Sequence, residues 1–325
     1  MTTDRLPTIL AARAAFYRVI RETLTAAAAI EVKTPIACPS HDLAPMHQFI
    51  TEHPATGQSL YLRIAPEEHL TRLIARGSPA VFEISTNFRA DTSDETHLAE
   101  FESVEALFPG WNVGQVRRLT ERLCRAADEA MAPWRSASTP GWTADPGPFE
   151  LVQIADWVEG EFGFDRAQFF DPVAVAELAT KLDVNDITAD TPMTKLADEI
   201  VGAIATHFDT PVLLTGAPNY LGGPAKDRPG DPGFLSRCEL YYQGLELGSM
   251  ADQVTDVEVI RDRYRHNYDL KQKLGITTDE SNEALLEDLS TGMPDYAGLG
   301  LGFDRLLMLS LGLADVRHLH EFIYQ

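Results

Sequence analysis

From Thr8 to about Ala28 the apolar residues Ile9, Leu10, Ala14, Phe16, Ile20 and Leu24 recur at helical spacing, with Arg13, Arg18, Arg21 and Glu22 between them. This spacing predicts an amphipathic helix with one face in a core. It runs into Ile30-Glu31-Val32-Lys33-Thr34-Pro35, whose β-branched residues read as a strand that Pro35 must end or hold at an edge. Strand-like runs follow at 59–64, 80–88 and 100–107, the first two separated by a helical segment, Pro66 to Ala75. Gly110 opens a helical stretch over 113–132, and a loop rich in Pro, Gly, Ser and Trp, 133–148, closes the first half.

Residues 150–208 read as an inserted lobe of short helices, among them 173–182 and 193–207, joined by polar turns such as 183–190. An apolar strand at 211–214, a Gly/Pro-rich loop through Gly233 and a strand from Cys238 to Leu247 come next. A charged helix is predicted from Val257 to Leu274, and a Gly-rich strand and a helix from Asp304 to about Leu313 close the chain. Strands and helices do not alternate regularly and no internal repeat is visible. The expected class is α+β, with an antiparallel sheet, not a doubly wound one.

With 325 residues, 44% of them apolar, the chain can bury a large core. It contains no run of about 18 apolar residues and no signal-type segment at Asp4 and Arg5, so a cytoplasmic location without membrane contact is expected. Cys38, Cys124 and Cys238 stand far apart with no metal-type spacing, which points to structural thiols. The net charge of −22, with no basic block to offset it, makes a polyanion such as tRNA an unlikely partner.

Three segments carry candidate chemistry: Phe82-Glu83-Ile84-Ser85-Thr86-Asn87-Phe88-Arg89, the pair Glu239 and Glu246, and Gly298-Leu299-Gly300-Leu301-Gly302-Phe303-Asp304-Arg305. Singly, a strand arginine is usually a surface or ion-pair residue and a glycine run is usually a turn. Together they resemble the class II aminoacyl-tRNA synthetases. The first segment, followed by Thr96-His97 and Glu100-Phe101, looks like motif 2 of that family, the third like motif 3, and 30–35 like motif 1. Phe49-Ile50-Thr51, Tyr61 to Glu67, and Glu239 to Glu246 are similar to lysyl-tRNA synthetases in particular.

The resemblance implies a six-stranded antiparallel sheet flanked by helices, a homodimer built through motif 1, and ATP with Mg²⁺ as cofactors for aminoacyl-adenylate formation. It makes Arg89 and Arg305 the catalytic arginines, the first bridging the substrate carboxylate and the α-phosphate through its planar fork. His97 would lie near the phosphates and Phe101 would stack on adenine, although a phenylalanine there suits a core equally well. Gly300 and Gly302 would let the strand backbone lie close to the nucleotide. Glu239 and Glu246 would hold magnesium, which requires a bulge or bend near Gly244 because residues seven apart on a regular strand face opposite sides. Glu67, with Glu105 as a second contact, would hold the α-ammonium.

The chain departs from the lysine type at four positions: Leu107 replaces a Tyr, Ser249 an Asn, Ala251 a Phe, and Gln253 the Glu that pairs the ε-ammonium. Losing that charge-assisted hydrogen bond weakens lysine binding by roughly 10- to 150-fold. On a strand, Asp252 points away from the face Gln253 uses and does not replace it. Lysine is therefore not the expected substrate, while Arg89, Glu239, Glu246 and Arg305 argue against a dead site. Lysyl-tRNA synthetases carry an OB-type anticodon-binding barrel. Here the motif 1-like segment begins so early that one catalytic domain over 1–325, with the insertion at 150–208 and no anticodon-binding domain, is expected. The elongation factor P lysine ligases share that architecture. The expected acceptor is a protein lysine, a carrier or a small-molecule amine; alternatives are an elongation factor P-type (R)-β-lysine or lysine ligase, a minimal tRNA ligase, or a non-catalytic regulatory binder.

Overall fold

The computed structural model describes residues 6–320 except 45, 91–92, 186, 189–190, 222, 274 and 277–281. Asp4, Arg5, Leu274 and part of the turn at 183–190 lie outside the described residues. In chain order the first half contains α1 (Leu6–Ala26), β1 (Ile30–Glu31), β2 (Ala37–Cys38), β3 (Ile50–His53), β4 (Gln58–Leu62), α2 (Glu67–Ala75), β5 (Val81–Phe88), β6 (Glu100–Pro109) and α3 (Val113–Met131). The second half contains β7 (Glu150–Gln153), α4 (Ile154–Phe162), α5 (Pro172–Lys181), α6 (Met193–Ala205), β8 (Val212–Thr215), β9 (Asp227–Arg228), β10 (Asp231–Leu235), β11 (Arg237–Tyr242), β12 (Leu245–Asp252), α7 (Val257–Lys273), α8 (Glu283–Ser290), β13 (Tyr296–Gly302) and α9 (Phe303–Ser310).

The main sheet has eight strands in the order β1-β5-β6-β13-β12-β11-β8-β7. From β5 to β8 every neighbour is antiparallel, which is the expected six-stranded sheet; β1 and β7 add a parallel strand at each edge. The α+β class holds. Strand pairing along 30–35 is limited to Ile30 and Glu31.

Period-two alternation divides the sheet into two chemically different faces. Phe82, Ile84, Val104, Ala106, Leu299, Leu301, Met250 and Leu240 point to one side, where α1, α3 and α9 bury them against Phe16, Ile20, Leu123 and Leu307. At the α3 start, Asn112 and Gln115 form a reciprocal capping box that satisfies two free backbone N–H groups. The opposite face carries Glu83, Ser85, Ser103, Glu105, Gly298, Gly300, Ser249 and Glu239, brought side by side by the pairings Glu83↔Glu105, Glu105↔Gly300, Ser249↔Gly300 and Glu239↔Ser249.

Two sequence-based expectations need correction. The strand from Cys238 to Leu247 is a hairpin, β11 and β12, turning at Gln243 and Gly244, both with positive φ. The 150–208 lobe begins with a strand, β7, which pairs with β8 and seats α4, α5 and α6 in a second apolar cluster around Phe169, Leu178 and Ile204. The helix α8 and the short strands β2 and β3 carry too few periodic residues to stand out in the sequence, whereas β4, between them, is the run expected at 59–64. Among the described residues no helix is long and apolar enough to cross a membrane.

Candidate active site

The polar face of the sheet is held open from beneath by a buried clamp. Arg63 donates to Glu83 at 3.0 Å and to the Thr34 hydroxyl at 2.7 Å, while Thr34 donates to the other Glu83 oxygen through its N–H and hydroxyl. Both charged side chains are essentially inaccessible, at 3% and 1% exposure. With every acceptor filled, the pair joins the segment after β1 to the middle of β5 and fixes the edge from which Arg89 emerges.

Arg89 sits just past β5, with its guanidinium 5.1 Å above the ring centroid of Phe101 on β6. Its buried Nε has no hydrogen-bond partner among the described residues. A cation–π contact holds the fork but leaves that donor free, as an anion-binding arginine requires. Phe101 is half-buried under this cation and stands apart from the main core cluster.

Arg305, in the first turn of α9, donates from Nε to the Thr96 carbonyl at 3.1 Å and from Nη1 to the Glu246 carbonyl at 2.7 Å. Its Nη2 lies 2.6 Å from His97 Nε2, which must accept; His97 Nδ1 then donates toward Asp94 at 3.0 Å. Burial lowers the Arg305 pKa; Glu246 opposes that shift and the nearby Arg89 adds to it. Two guanidinium groups thus converge with repulsion between them, an arrangement that an anion relieves.

The hairpin brings Glu239 and Glu246 to one side. Between the pairs Leu240↔Gly248 and Tyr241↔Glu246 the register shifts, leaving Leu247 as the extra residue. Glu246 therefore lies opposite Tyr241, which shares a face with Glu239. The bend expected at Gly244 is the turn, and the bulge lies at Leu247. Arg237 pairs with Glu239 at 2.6 Å, and Tyr241 donates to Glu239 at 3.3 Å. Burial raises the Glu239 pKa, with Arg237 opposing and Glu246 adding.

The glycines of β13 make a trough that neighbouring side chains cover unequally. A Cβ on Gly298 would fall 2.5 Å from Leu107, and one on Gly300 would fall 2.6 Å from the Glu105 carboxylate. Gly302 is open except for the aliphatic stem of Arg305 at 3.6 Å. Gly302 thus leaves its backbone bare, whereas Gly300 makes room for Glu105. Gly248 is the tightest: a Cβ there would lie 2.1 Å from the Gly300 carbonyl oxygen.

Glu67 opens α2 and accepts from Gln253 Nε2 at 3.1 Å. Burial, reinforced by Asp42, raises its pKa to about 7. Glu105 accepts from Ser103 at 3.2 Å, and burial, reinforced by Glu67, raises its pKa to about 8. Ser249 lies between Glu239 and Gly300 in the register. Ala251 packs with Ala225 and Leu235, so it forms wall and not open pocket. Leu107 packs with Leu70, Ile74, Val81 and Tyr296. Asp252 faces away from Gln253, accepting from the Val113 N–H and the Ser236 hydroxyl, both at 2.6 Å.

Two charged neighbours of the site were missed. Arg237 lies two residues before Glu239, so strand periodicity could have placed both on one face. Asp42 comes from the aperiodic loop after β2, held by Gln48 and Ala44, and no sequence pattern marks it. Among the described residues no group of three His, Cys, Asp or Glu side chains is arranged to hold a metal.

A family model for tRNA synthetases of class II (D, K and N) matches residues 1–323. The lysine–tRNA ligase of Aquifex aeolicus (strain VF5) is 31% identical over 296 residues, covering 90% of this chain and 49% of that protein. That of Chloroflexus aurantiacus is 28% identical over 316 residues, covering 97% and 64%, and that of Enterococcus faecalis is 31% identical over 308, covering 92% and 60%. The chain therefore spans about half to two thirds of the length of these relatives.

Proposed function

The chain belongs to the tRNA synthetases of class II (D, K and N), and from that premise we propose that it activates an amino acid with ATP, forming an aminoacyl-adenylate. The observation that carries this reading is the Nε of Arg89, without a partner among the described residues and held over Phe101, with Arg305 near enough for each cation to oppose the other. Adenylate formation joins the substrate carboxylate to the α-phosphorus and expels pyrophosphate. Two anions must be held in line while negative charge builds on the phosphate oxygens. Arg89 and Arg305 supply fixed positive charge for this, and Glu67 and Glu105 meet the α-ammonium.

Glu239 and Glu246 offer hard oxygen donors on one face, which fits magnesium, and Arg237 offsets their charge until a cation arrives. With only two protein carboxylates, the remaining ligands would come from the triphosphate and water. The ion supplies neutralisation of phosphate charge. The exposed apolar side chains of Leu10 on α1 and Ile30 on β1 support a homodimer through α1 and the β1 edge.

The finer reading is a substrate other than lysine and an acceptor other than tRNA. The uncharged Gln253 where lysine enzymes carry a carboxylate supports the first, and the net charge of −22 supports the second. The relatives are lysine–tRNA ligases, so both points need direct tests. Labelled amino acid, ATP and enzyme are incubated with unfractionated tRNA, or with cell protein and small amines. Label in protein or amine, with none in tRNA, supports the reading; charged tRNA overturns the acceptor.

A further inference from the structure

Gln253 is 5% exposed, and its amide is committed on one side only: Nε2 donates to Glu67, while Oε1 is buried without a partner among the described residues. The orientation is set by chemistry, because Glu67 ionised by a substrate ammonium accepts from an amide N–H and repels an amide oxygen. The residue continues the alternation Ser249, Ala251 on the active face, and its amide passes over Gly298, 3.4 Å from where a Cβ would stand. Leu107, which meets the same face of Gly298, and Ala251 have no donor to offer, and the Tyr296 hydroxyl packed beside Leu107 is paired with Thr71 at 3.5 Å and does not reach the Gln253 side-chain carbonyl. A buried carbonyl without a donor is costly, and such an orphan marks where a ligand supplies what the protein omits.

Resting on the amino-acid activation proposed above, we infer that Gln253 sets specificity: its Oε1 reads a neutral hydrogen-bond donor, a hydroxyl or carboxamide, on the substrate side chain. The amide carries no charge, so it matches a neutral donor and leaves a buried ammonium uncompensated. A site that hydrogen-bonds a substrate group rejects the analogue lacking it more strongly than an apolar pocket rejects a missing methylene, because the carbonyl is then left unpaired. Gln253 thus couples two readings through one side chain, fixing Glu67 for the α-ammonium and testing the side chain for a donor.

The test is calorimetric binding of single amino acids to the full chain, with and without ATP and Mg²⁺. The panel pairs serine, threonine, asparagine and glutamine with alanine, valine, leucine and methionine, and adds lysine and ornithine. One hydroxyl or carboxamide amino acid should bind about tenfold or more above its apolar counterpart. Gln253→Leu should erase that difference, and Gln253→Glu, which keeps size and shape, should lower it and raise lysine or ornithine binding. A best ligand that is apolar or cationic, a preference that survives in both variants, or no binding by any donor-bearing amino acid overturns the inference. Pyrophosphate exchange on the same panel separates the two readings: preferred binding without exchange keeps the inference and removes the activation reading, whereas exchange driven by an apolar amino acid does the reverse.

Discussion

At the scale of single residues the site is defined by what is left unpaired. Arg89 has a free donor and a stacking contact in place of a structural ion pair, so replacing it disturbs chemistry more than folding. Arg89→Lys removes the planar fork and should lower the rate of pyrophosphate exchange by about 10²- to 10³-fold, with little change in thermal stability. The carboxylates make an opposite demand. Glu67, raised to about 7 by burial and Asp42, and Glu105, raised to about 8 by burial and Glu67, must ionise to hold an ammonium as proposed. The KM for the amino acid should therefore fall as pH rises from 6 to 8. The stability sign is the reverse: each folded pKa lies above the ordinary carboxylate value. The unliganded protein then holds protons that the unfolded chain has lost, and its stability declines as pH rises through the same window. Thermal melts across pH 6–8, with and without bound amino acid, check both slopes.

At the scale of elements, the register of the sheet assembles the site. Glu83 is buried under the cleft with all its contacts made by Arg63 and Thr34. Glu83→Gln leaves a buried guanidinium uncompensated and should cost about 3 to 5 kcal/mol in urea unfolding. Gly248 allows β12 to meet β13 at all, because a methyl group there would strike the Gly300 carbonyl. Gly248→Ala should lower the unfolding midpoint and the exchange rate together. Much of this level was legible beforehand: β5, β6 and β13 follow from alternating or clustered apolar residues, and α1, α3 and α7 from helical periodicity. The hairpin was not, because Leu240-Tyr241-Tyr242 and Leu245 flank the turn closely and only the two residues Gln243-Gly244 mark it. Reading it as one strand put Glu239 and Glu246 on opposite faces; pairing across the turn sets Glu246 opposite Tyr241 on the face of Glu239, and the bulge at Leu247 then brings Ser249 opposite Glu239.

At the scale of the whole molecule, motif-like segments separated by up to about two hundred residues converge on one sheet face, as the family resemblance implied. Arg89, Arg305, Glu239 and Glu246 were readable because each sits in a local pattern. Asp42 and the Gln253–Glu67 bond were not, since they depend on a loop path and on a contact between residues far apart in the chain. The exposed Ile30 on the parallel edge strand should lie in a dimer interface, so Ile30→Asp should shift sedimentation from dimer to monomer and reduce exchange with it.

Amino-acid-dependent ATP–pyrophosphate exchange, comparing the unaltered chain with Arg89→Ala, tests the central claim most directly. Exchange that requires a single amino acid and Mg²⁺ and collapses in Arg89→Ala is the predicted result. No exchange with any amino acid, or exchange that persists in Arg89→Ala, would contradict it.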